Sequence, residues 1–309
     1  MGDVVHALPL AADIARARPG TEIDWLVEES FGSIPAMSRH VARVRRVALR
    51  HWRHHLFEAS TRREVDALKE QLRAGGYGLV LDAQGLLKSA WVARWARAPV
   101  AGFSTRTARE QIAALFYSRR YPIPRELHAV ERCRRLGAAA FGYALEGPPR
   151  FDLRPTAAPV LAHDGRYAVL LVNASRATKL WPDQNWIDVE CWLAAQGLSS
   201  LLFWGTEEEG SRVRALAARM QRAIVAPRSQ LEAIATTLAE ATVVIGLDTG
   251  LSHLAAALGR PAVGIYCDYD PALVGLVGDG PVASLGGVGR APDSATVIEA
   301  AARVMDRAV

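Results

Sequence analysis

The chain runs to 309 residues, half of them hydrophobic, 22% charged and 7% aromatic, with a mean hydropathy of +0.06. This composition excludes a disordered chain, and no apolar run reaches the roughly 18–20 residues of a membrane span; a globular protein long enough for two domains is expected. The net charge of +5 is uneven, with 24 Lys+Arg against 15 Asp+Glu in residues 1–150 and 13 against 17 in residues 151–309, so the two halves are expected to face different chemistry, or one of them to meet an anionic partner.

From the N-terminus, Met1-Gly2-Asp3 lacks the basic-then-apolar pattern of a leader peptide, which implies a cytoplasmic protein. Residues 4–18 follow with helical spacing. A doubly wound domain opens on a strand, so about eight residues of strand are expected ahead of Met1. Ile23 to Val27 and Leu79 to Leu81 read as strands, and residues 58–74 and 86–97 as helices. Residues 39–63 hold eight arginines, four histidines and one acid, Glu58. Such a run reads as a solvated surface, but Trp52 and Phe57 within it suit the rim of a membrane or an anionic headgroup. Prolines at 148, 149, 155 and 159 mark a linker and put the domain boundary near residue 155.

The second half alternates apolar strands with helices. Tyr167 to Val172, Ser200 to Trp204, Thr242 to Leu247 and Ala262 to Tyr266 read as buried strands, with helices from Asp183, Glu207, Leu231 and Leu251. This pattern implies a parallel sheet covered on both faces. Two Rossmann-like domains facing each other would put a site in the cleft where the carboxyl ends of their strands point. Cys133, Cys191 and Cys267 are far apart and without CxxC spacing, so free thiols are expected.

Four segments could carry chemistry. Gly246-Leu-Asp-Thr-Gly-Leu-Ser-His253 joins a strand end to a helix start, where unpaired amides can hold a phosphate; an ordinary N-cap with His253 in the core is the other reading. Asn173 to Pro182 carries Ser175, Arg176, Thr178 and Lys179, the last being the sole lysine of the second half. Glu207-Glu-Glu209 offers a carboxylate for ribose hydroxyls or, equally simply, acids that match a helix dipole. Asp268-Tyr-Asp270 has the Asp-x-Asp form of some metal-dependent sugar-transfer sites, although Pro271 makes it read as a turn. In the first half, Asp3 reads as an N-cap or as a general base at a helix start.

Met1-Gly-Asp-Val-Val-His-Ala-Leu-Pro9, Asp24-Trp-Leu-Val-Glu-Glu29, Arg50-His-Trp-Arg53, Asp82-Ala-Gln-Gly-Leu-Leu-Lys-Ser89, Thr107-Ala-Arg-Glu110, His128-Ala-Val-Glu-Arg132, Lys179-Leu-Trp-Pro182 and Asp248-Thr-Gly-Leu-Ser-His253 together resemble the bacterial lipopolysaccharide heptosyltransferases of glycosyltransferase family 9. The Trp-Leu-Val-Glu-Glu and Asp-Ala-Gln-Gly elements resemble those of the first heptose transfer. The resemblance implies an α/β GT-B fold: an acceptor-binding Rossmann-like domain over residues 1–155, its first strand missing, and an ADP-heptose-binding domain over residues 156–309. It implies inverting, metal-independent transfer of L-glycero-D-manno-heptose from ADP-heptose to the Kdo of Kdo2-lipid A. No cofactor, no metal and no nucleic-acid partner are implied, and the protein would lie peripherally on the cytoplasmic face of the inner membrane.

By the same resemblance, Asp3 is the catalytic base. Ser175, Lys179, Glu209, Asp248, Thr249, Gly250 and His253 belong to the donor site, and Arg50, Arg53, Lys88 and Arg109 to the acceptor site. The sequence departs from the family at Ala174-Ser175, where relatives often carry a Thr pair, and at Ser229, a position apolar in some relatives. Two rival readings remain: a sibling heptosyltransferase with a heptose acceptor, and a nucleotide-sugar-binding protein inactive through loss of the first strand.

Overall fold

The computed structural model describes residues 1–55, 57–162 and 165–308. It divides into two units, one of residues 6–36 and 40–148, the other of residues 1–5, 37–39 and 149 onward. In the first unit β1 (Asp24–Glu28) pairs in parallel with β2 (Arg43–Val47), while β3 (Val80–Asp82), β4 (Val100–Phe103) and β5 (Arg119–Tyr121) form a second parallel sheet in that order. Leu26, Val47 and Val80 meet in one apolar cluster with Leu68, Leu72 and Trp95, so the two sheets share a core layer.

Strand β2 falls inside the basic run that reads as a solvated surface. Its arginines are accommodated by Asp24 on β1, whose carboxylate accepts from Arg43 at 2.8 Å and Arg45 at 3.1 Å. Trp52 corrects the expectation of a membrane-facing aromatic. It is 6% exposed, and its indole N–H donates to Glu64 at 2.8 Å. Phe57, by contrast, is 90% exposed.

The helical spacing of residues 4–18 resolves into two helices, Gly2–Ala7 and Pro9–Ala17. Pro9 has no N–H to donate, and its ring crowds the preceding turn, so it starts a helix instead of continuing one. Helix Pro9–Ala17 packs on helix Ala129–Phe141, where Gly137 leaves room for Leu10 and a buried Asp13–Arg134 pair spans the contact.

In the second unit β6 (Tyr167–Leu171), β7 (Ser199–Leu202), β8 (Ala223–Val225), β9 (Val243–Leu247), β10 (Ala262–Tyr266) and β11 (Val282–Gly286) form one parallel sheet in the order β11-β10-β9-β6-β7-β8. Strands β6, β9 and β10 are buried along their whole length, and residues of helices Asp183–Ala195, Glu207–Ala217 and Ser294–Asp306 join them in one apolar cluster. The chain goes from β6 to β7 on one side and from β9 to β10 on the other. The neighbours β6 and β9 are therefore the point where the winding reverses, and ligands of such sheets bind beyond the carboxyl ends of the strands there.

Candidate functional site

Two of the four segments that the sequence singles out in this half begin at that point. β6 runs out into Asn173 to Lys179, and β9 runs out into Asp248 and the helix Gly250–Ala257. The Lys179 ammonium donates to Asp248 Oδ2 at 2.5 Å and to the Asp248 carbonyl at 3.2 Å, and His253 Nε2 lies 3.3 Å from Asp248 Oδ1. Burial works to raise the Asp248 pKa, but the hydrogen bonds from His253 and Lys179, with the lysine's charge, outweigh it and hold the carboxyl below its ordinary value of 3.8.

Thr249 occupies the N-cap of helix Gly250–Ala257 in an extended conformation without a side-chain cap bond. Its hydroxyl lies 3.2 Å from that of Ser252, which itself donates to the Leu247 carbonyl at 2.6 Å. The first-turn amides are therefore not capped by Thr249, and they carry the positive end of the helix dipole. A Cβ on Gly250 would sit 2.5 Å from Cβ of Met1, so only glycine lets Met1 lie against this helix start. The Met1 carbonyl accepts from the amides of Val4 and Val5, and Asp3 is exposed in the same first turn, where it corrects the N-cap reading. Asp3 is thereby carried on a helix that leans on Gly250.

The loop after β6 is pinned along its length. Arg212 donates to the Val172 carbonyl at 2.7 Å, to Asn173 Oδ1 at 3.1 Å and to Asp183 at 2.9 Å. The Thr178 hydroxyl donates to Asp268 Oδ2 at 2.7 Å, and Arg176 lies 3.3 Å from the same oxygen. Asp270 caps the turn Pro271–Val274 by accepting from the Ala272 amide. Both acids of Asp-Tyr-Asp thus have protein partners, and among the described residues no group of three or more His, Cys, Asp or Glu could hold a metal ion. Ser175 is exposed in the loop. Glu209 closes a capping box with Thr206: its Oε2 accepts the Gly205 and Thr206 amides at 2.7 and 3.1 Å, and its own amide donates to Thr206 Oγ1 at 3.2 Å. Arg212 is absent from the sequence-derived candidates; its signal is its place one turn beyond Glu209 on the same helix.

In the first unit, the Asp82–Ser89 segment is organised by its own aspartate. Asp82 Oδ1 accepts the amides of Gln84 and Gly85, and Oδ2 accepts the hydroxyls of Ser89 and Tyr117 at 2.8 and 2.7 Å. Burial raises the Asp82 pKa despite these bonds. Glu110 then couples this loop to the Thr107–Glu110 segment, its Oε2 accepting the Leu87 amide at 2.6 Å and its amide donating to the Gly85 carbonyl at 3.0 Å. Gly85 has φ +67° and packs against the Arg109 backbone, where a Cβ would meet the Arg109 nitrogen at 3.2 Å. Lys88 and Arg109 are thus borne by two interlocked loops. Arg125 and Arg132 brace the second loop through the carbonyls of Ala108 and Thr107. Arg50 and Arg53 lie on the short helix Leu49–Trp52 and its C-cap; the Arg50 guanidinium lies over the Phe31 ring and the Arg53 Nε donates to His54.

An α/β chain of two units, one gathering a lysine, a carboxylate, an imidazole and an open helix start at a switch point of nucleotide-binding type, is of the GT-B glycosyltransferase class. Residues 65–296 match the model of glycosyltransferase family 9 (heptosyltransferase). The chain belongs to that family and is a glycosyltransferase. It is similar to lipopolysaccharide heptosyltransferase 1 of Escherichia coli (strain K12), with 42% identity over 281 residues that cover 90% of this chain and 88% of the relative. Among solved structures it resembles E. coli heptosyltransferase WaaC with ADP, at a TM-score of 0.87 and 38% identity, covering 97% of this chain and 95% of that one. It also resembles WaaC with ADP-2-deoxy-2-fluoro heptose, at a TM-score of 0.83 and 37% identity, covering 98% and 95%.

Proposed function

We propose that the chain transfers L-glycero-D-manno-heptose from ADP-heptose to the Kdo of Kdo2-lipid A in lipopolysaccharide core biosynthesis, with inversion and without a metal ion. The observation that carries this reading is the Lys179–Asp248–His253 cluster beside the start of helix Gly250–Ala257. A diphosphate there meets one ammonium and a fan of amides, enough to neutralise the charge that builds up as ADP departs. The ligand named with the similar WaaC structure, a fluorinated ADP-heptose, supports the same donor. Ser175 and Thr249 add hydroxyls to the phosphates, and a ribose hydroxyl bonds Oε1 of Glu209, whose Oε2 holds the capping box.

In the mechanism, Asp3 takes the proton of the acceptor hydroxyl as its oxygen attacks the anomeric carbon from the face opposite ADP. The bond from that carbon to the β-phosphate oxygen breaks, and its electron pair leaves with ADP. Lys88 and Arg109, with Arg50 and Arg53, bind the acceptor's carboxylates and phosphates. The reading includes a domain boundary near residue 155 and a peripheral position on the cytoplasmic face of the inner membrane.

The test offers ADP-heptose with Kdo2-lipid A or with an already heptosylated core. Transfer to Kdo2-lipid A, unchanged by EDTA, is expected, and Asp3→Asn should slow it by about 10²–10⁴-fold with ADP affinity retained. Turnover on the heptosylated core alone would assign the sibling activity, and full turnover by the Asn variant would remove Asp3 from the chemistry.

A further inference from the structure

Four of the seven exposed large hydrophobic side chains among the described residues sit on two short elements that touch each other: Leu87 (39% exposed) and Trp91 (49%) on helix Leu87–Ala93, and Ile112 (59%) and Leu115 (64%) on the 3-10 helix Gln111–Phe116. The way these elements meet explains the exposure. Ala90 and Ala93 face Ala113 and Ala114 in one buried cluster with Val100 and Tyr117, so small residues occupy the contact and large ones are left in water. A solvated helix has the reverse arrangement, and a cluster of this kind marks an interaction surface. Trp91 is also held in place, its ring meeting that of the buried Trp95 edge-on at 4.8 Å.

The charge around this surface points to its occupant. Residues 86–120 contain seven basic side chains and one acid, Glu110, whose carboxylate accepts the Leu87 amide. Lys88 and Arg94 flank Trp91 in sequence, and Arg119 and Arg120 are exposed on β5 directly after the 3-10 helix. Apolar side chains with a tryptophan among them, ringed by cations, suit the interface of an anionic bilayer, where the ring lies at headgroup depth and the cations meet phosphates.

We propose that the face formed by Leu87, Trp91, Ile112 and Leu115 is the surface by which this protein lies on an anionic lipid bilayer. The proposal deepens the reading of a lipid acceptor and rests on it. Because Lys88 belongs to the same helix, docking by this face would bring the acceptor-binding loops to the headgroup layer from which such an acceptor projects.

The experiment is flotation of the whole chain with vesicles of phosphatidylethanolamine and phosphatidylglycerol, and with vesicles of phosphatidylcholine alone. Wild-type protein should float with the anionic vesicles. Ile112→Glu/Leu115→Glu should weaken partitioning by about tenfold or more, Arg119→Glu/Arg120→Glu should weaken it on anionic vesicles, and Phe57→Ala should leave it unchanged. Thermal unfolding of each variant checks its fold. Undiminished flotation of both double variants would overturn the proposal, as would a wild-type dimer that the Ile112→Glu/Leu115→Glu change splits while vesicles bind neither form. Activity separates this outcome from the functional reading: intact flotation with no transfer to Kdo2-lipid A refutes the function and leaves the surface standing, whereas normal transfer to a deacylated acceptor without flotation does the opposite.

Discussion

The ammonium of Lys179 lies 2.5 Å from Oδ2 of Asp248, a strand end joined to a loop 69 residues earlier in the sequence. Both side chains are mostly buried, so this bond fixes the lysine beside the start of helix Gly250–Ala257. Lys179→Met removes the cation and leaves the Asp248 carboxylate with His253. Loss of about 1–3 kcal/mol of stability is expected because the half-stripped carboxylate keeps only His253, and a fall in kcat/KM of about 10²–10³ from the lost leaving-group charge. Steady-state kinetics with calorimetric ADP titration checks both, and wild-type turnover in the variant would remove Lys179 from the donor site.

The same carboxylate gives a pH signature. Although burial works to raise it, the bonds from His253 and Lys179 leave the folded Asp248 below its ordinary value of 3.8. A depressed folded pKa means the stabilisation is fully present above the unfolded value and is lost as pH falls through the folded one. Urea midpoints of wild-type and Asp248→Asn protein should therefore differ by a constant amount from neutral pH down to about pH 4 and converge below it. A gap that stays constant into stronger acid would show that Asp248 is not held ionised by its partners.

Gly250 joins the donor-side helix to the segment that carries Asp3. A Cβ there would lie 2.5 Å from Cβ of Met1, an atom close to the backbone and unable to swing away. Gly250→Ala gains about 1 kcal/mol of helix propensity, which offsets part of the contact strain, so thermal stability should change little. Displacement of Met1 shifts Asp3, and turnover should fall by about 10- to 100-fold, as small misplacements of reacting groups do. Unchanged turnover would separate the Met1 contact from the chemistry.

The sequence made the second unit far more legible than the first. β6, β9 and β10 are apolar from end to end because helices cover both faces, and such runs stand out whatever surrounds them. β2 was hidden because three of its five residues are arginines, acceptable only because Asp24 on the neighbouring strand neutralises two of them. β8, three half-buried residues long, and β11, partly buried along most of its length, lack that apolar signal. For the candidate site, Lys179 and Asp248–His253 were visible as polar groups at strand ends, but their mutual contact depends on sheet order. The bracing by Arg212 was not visible, since an arginine one turn into a helix ordinarily faces water. The burial of Trp52 is hidden in the sequence for the related reason that it depends on Trp95 and Leu68, distant along the chain.

Asp82 holds the Lys88 loop through four bonds, and burial pushes its pKa up, so the charged form is costly to keep folded. Asparagine retains an acceptor for the Gln84 and Gly85 amides and can donate to rotated Ser89 and Tyr117 hydroxyls. Asp82→Asn should therefore change stability by less than about 1 kcal/mol, whereas Asp82→Ala takes the acceptor from both amides and the Tyr117 hydroxyl, leaving only the Ser89 hydroxyl a second one in the Leu86 carbonyl, and should cost about 2–3 kcal/mol. Chemical unfolding at neutral pH measures both, and equal losses would mean that the carboxylate charge is what organises the loop.

Asp13 and Arg134 test how the first unit holds helices Pro9–Ala17 and Ala129–Phe141 together. Their side chains are 2% and 4% exposed, and the guanidinium donates twice to the carboxylate, at 2.7 and 3.2 Å, while also reaching the Gly147 carbonyl at 3.1 Å. Removing one member leaves a buried charge without its partner, so Asp13→Ala should destabilise by about 3–5 kcal/mol. Replacing both, as Asp13→Leu/Arg134→Met, removes the two desolvation penalties together and should cost less than Asp13→Ala alone. The comparison is read from denaturant midpoints; both variants also remove the partner of exposed Arg16, 2.9 Å from Asp13, so that loss cancels between them. A double variant less stable than the single would show that the arginine's bond to the Gly147 carbonyl, and not the ion pair, fixes the end of helix Ala129–Phe141 to the chain that follows it.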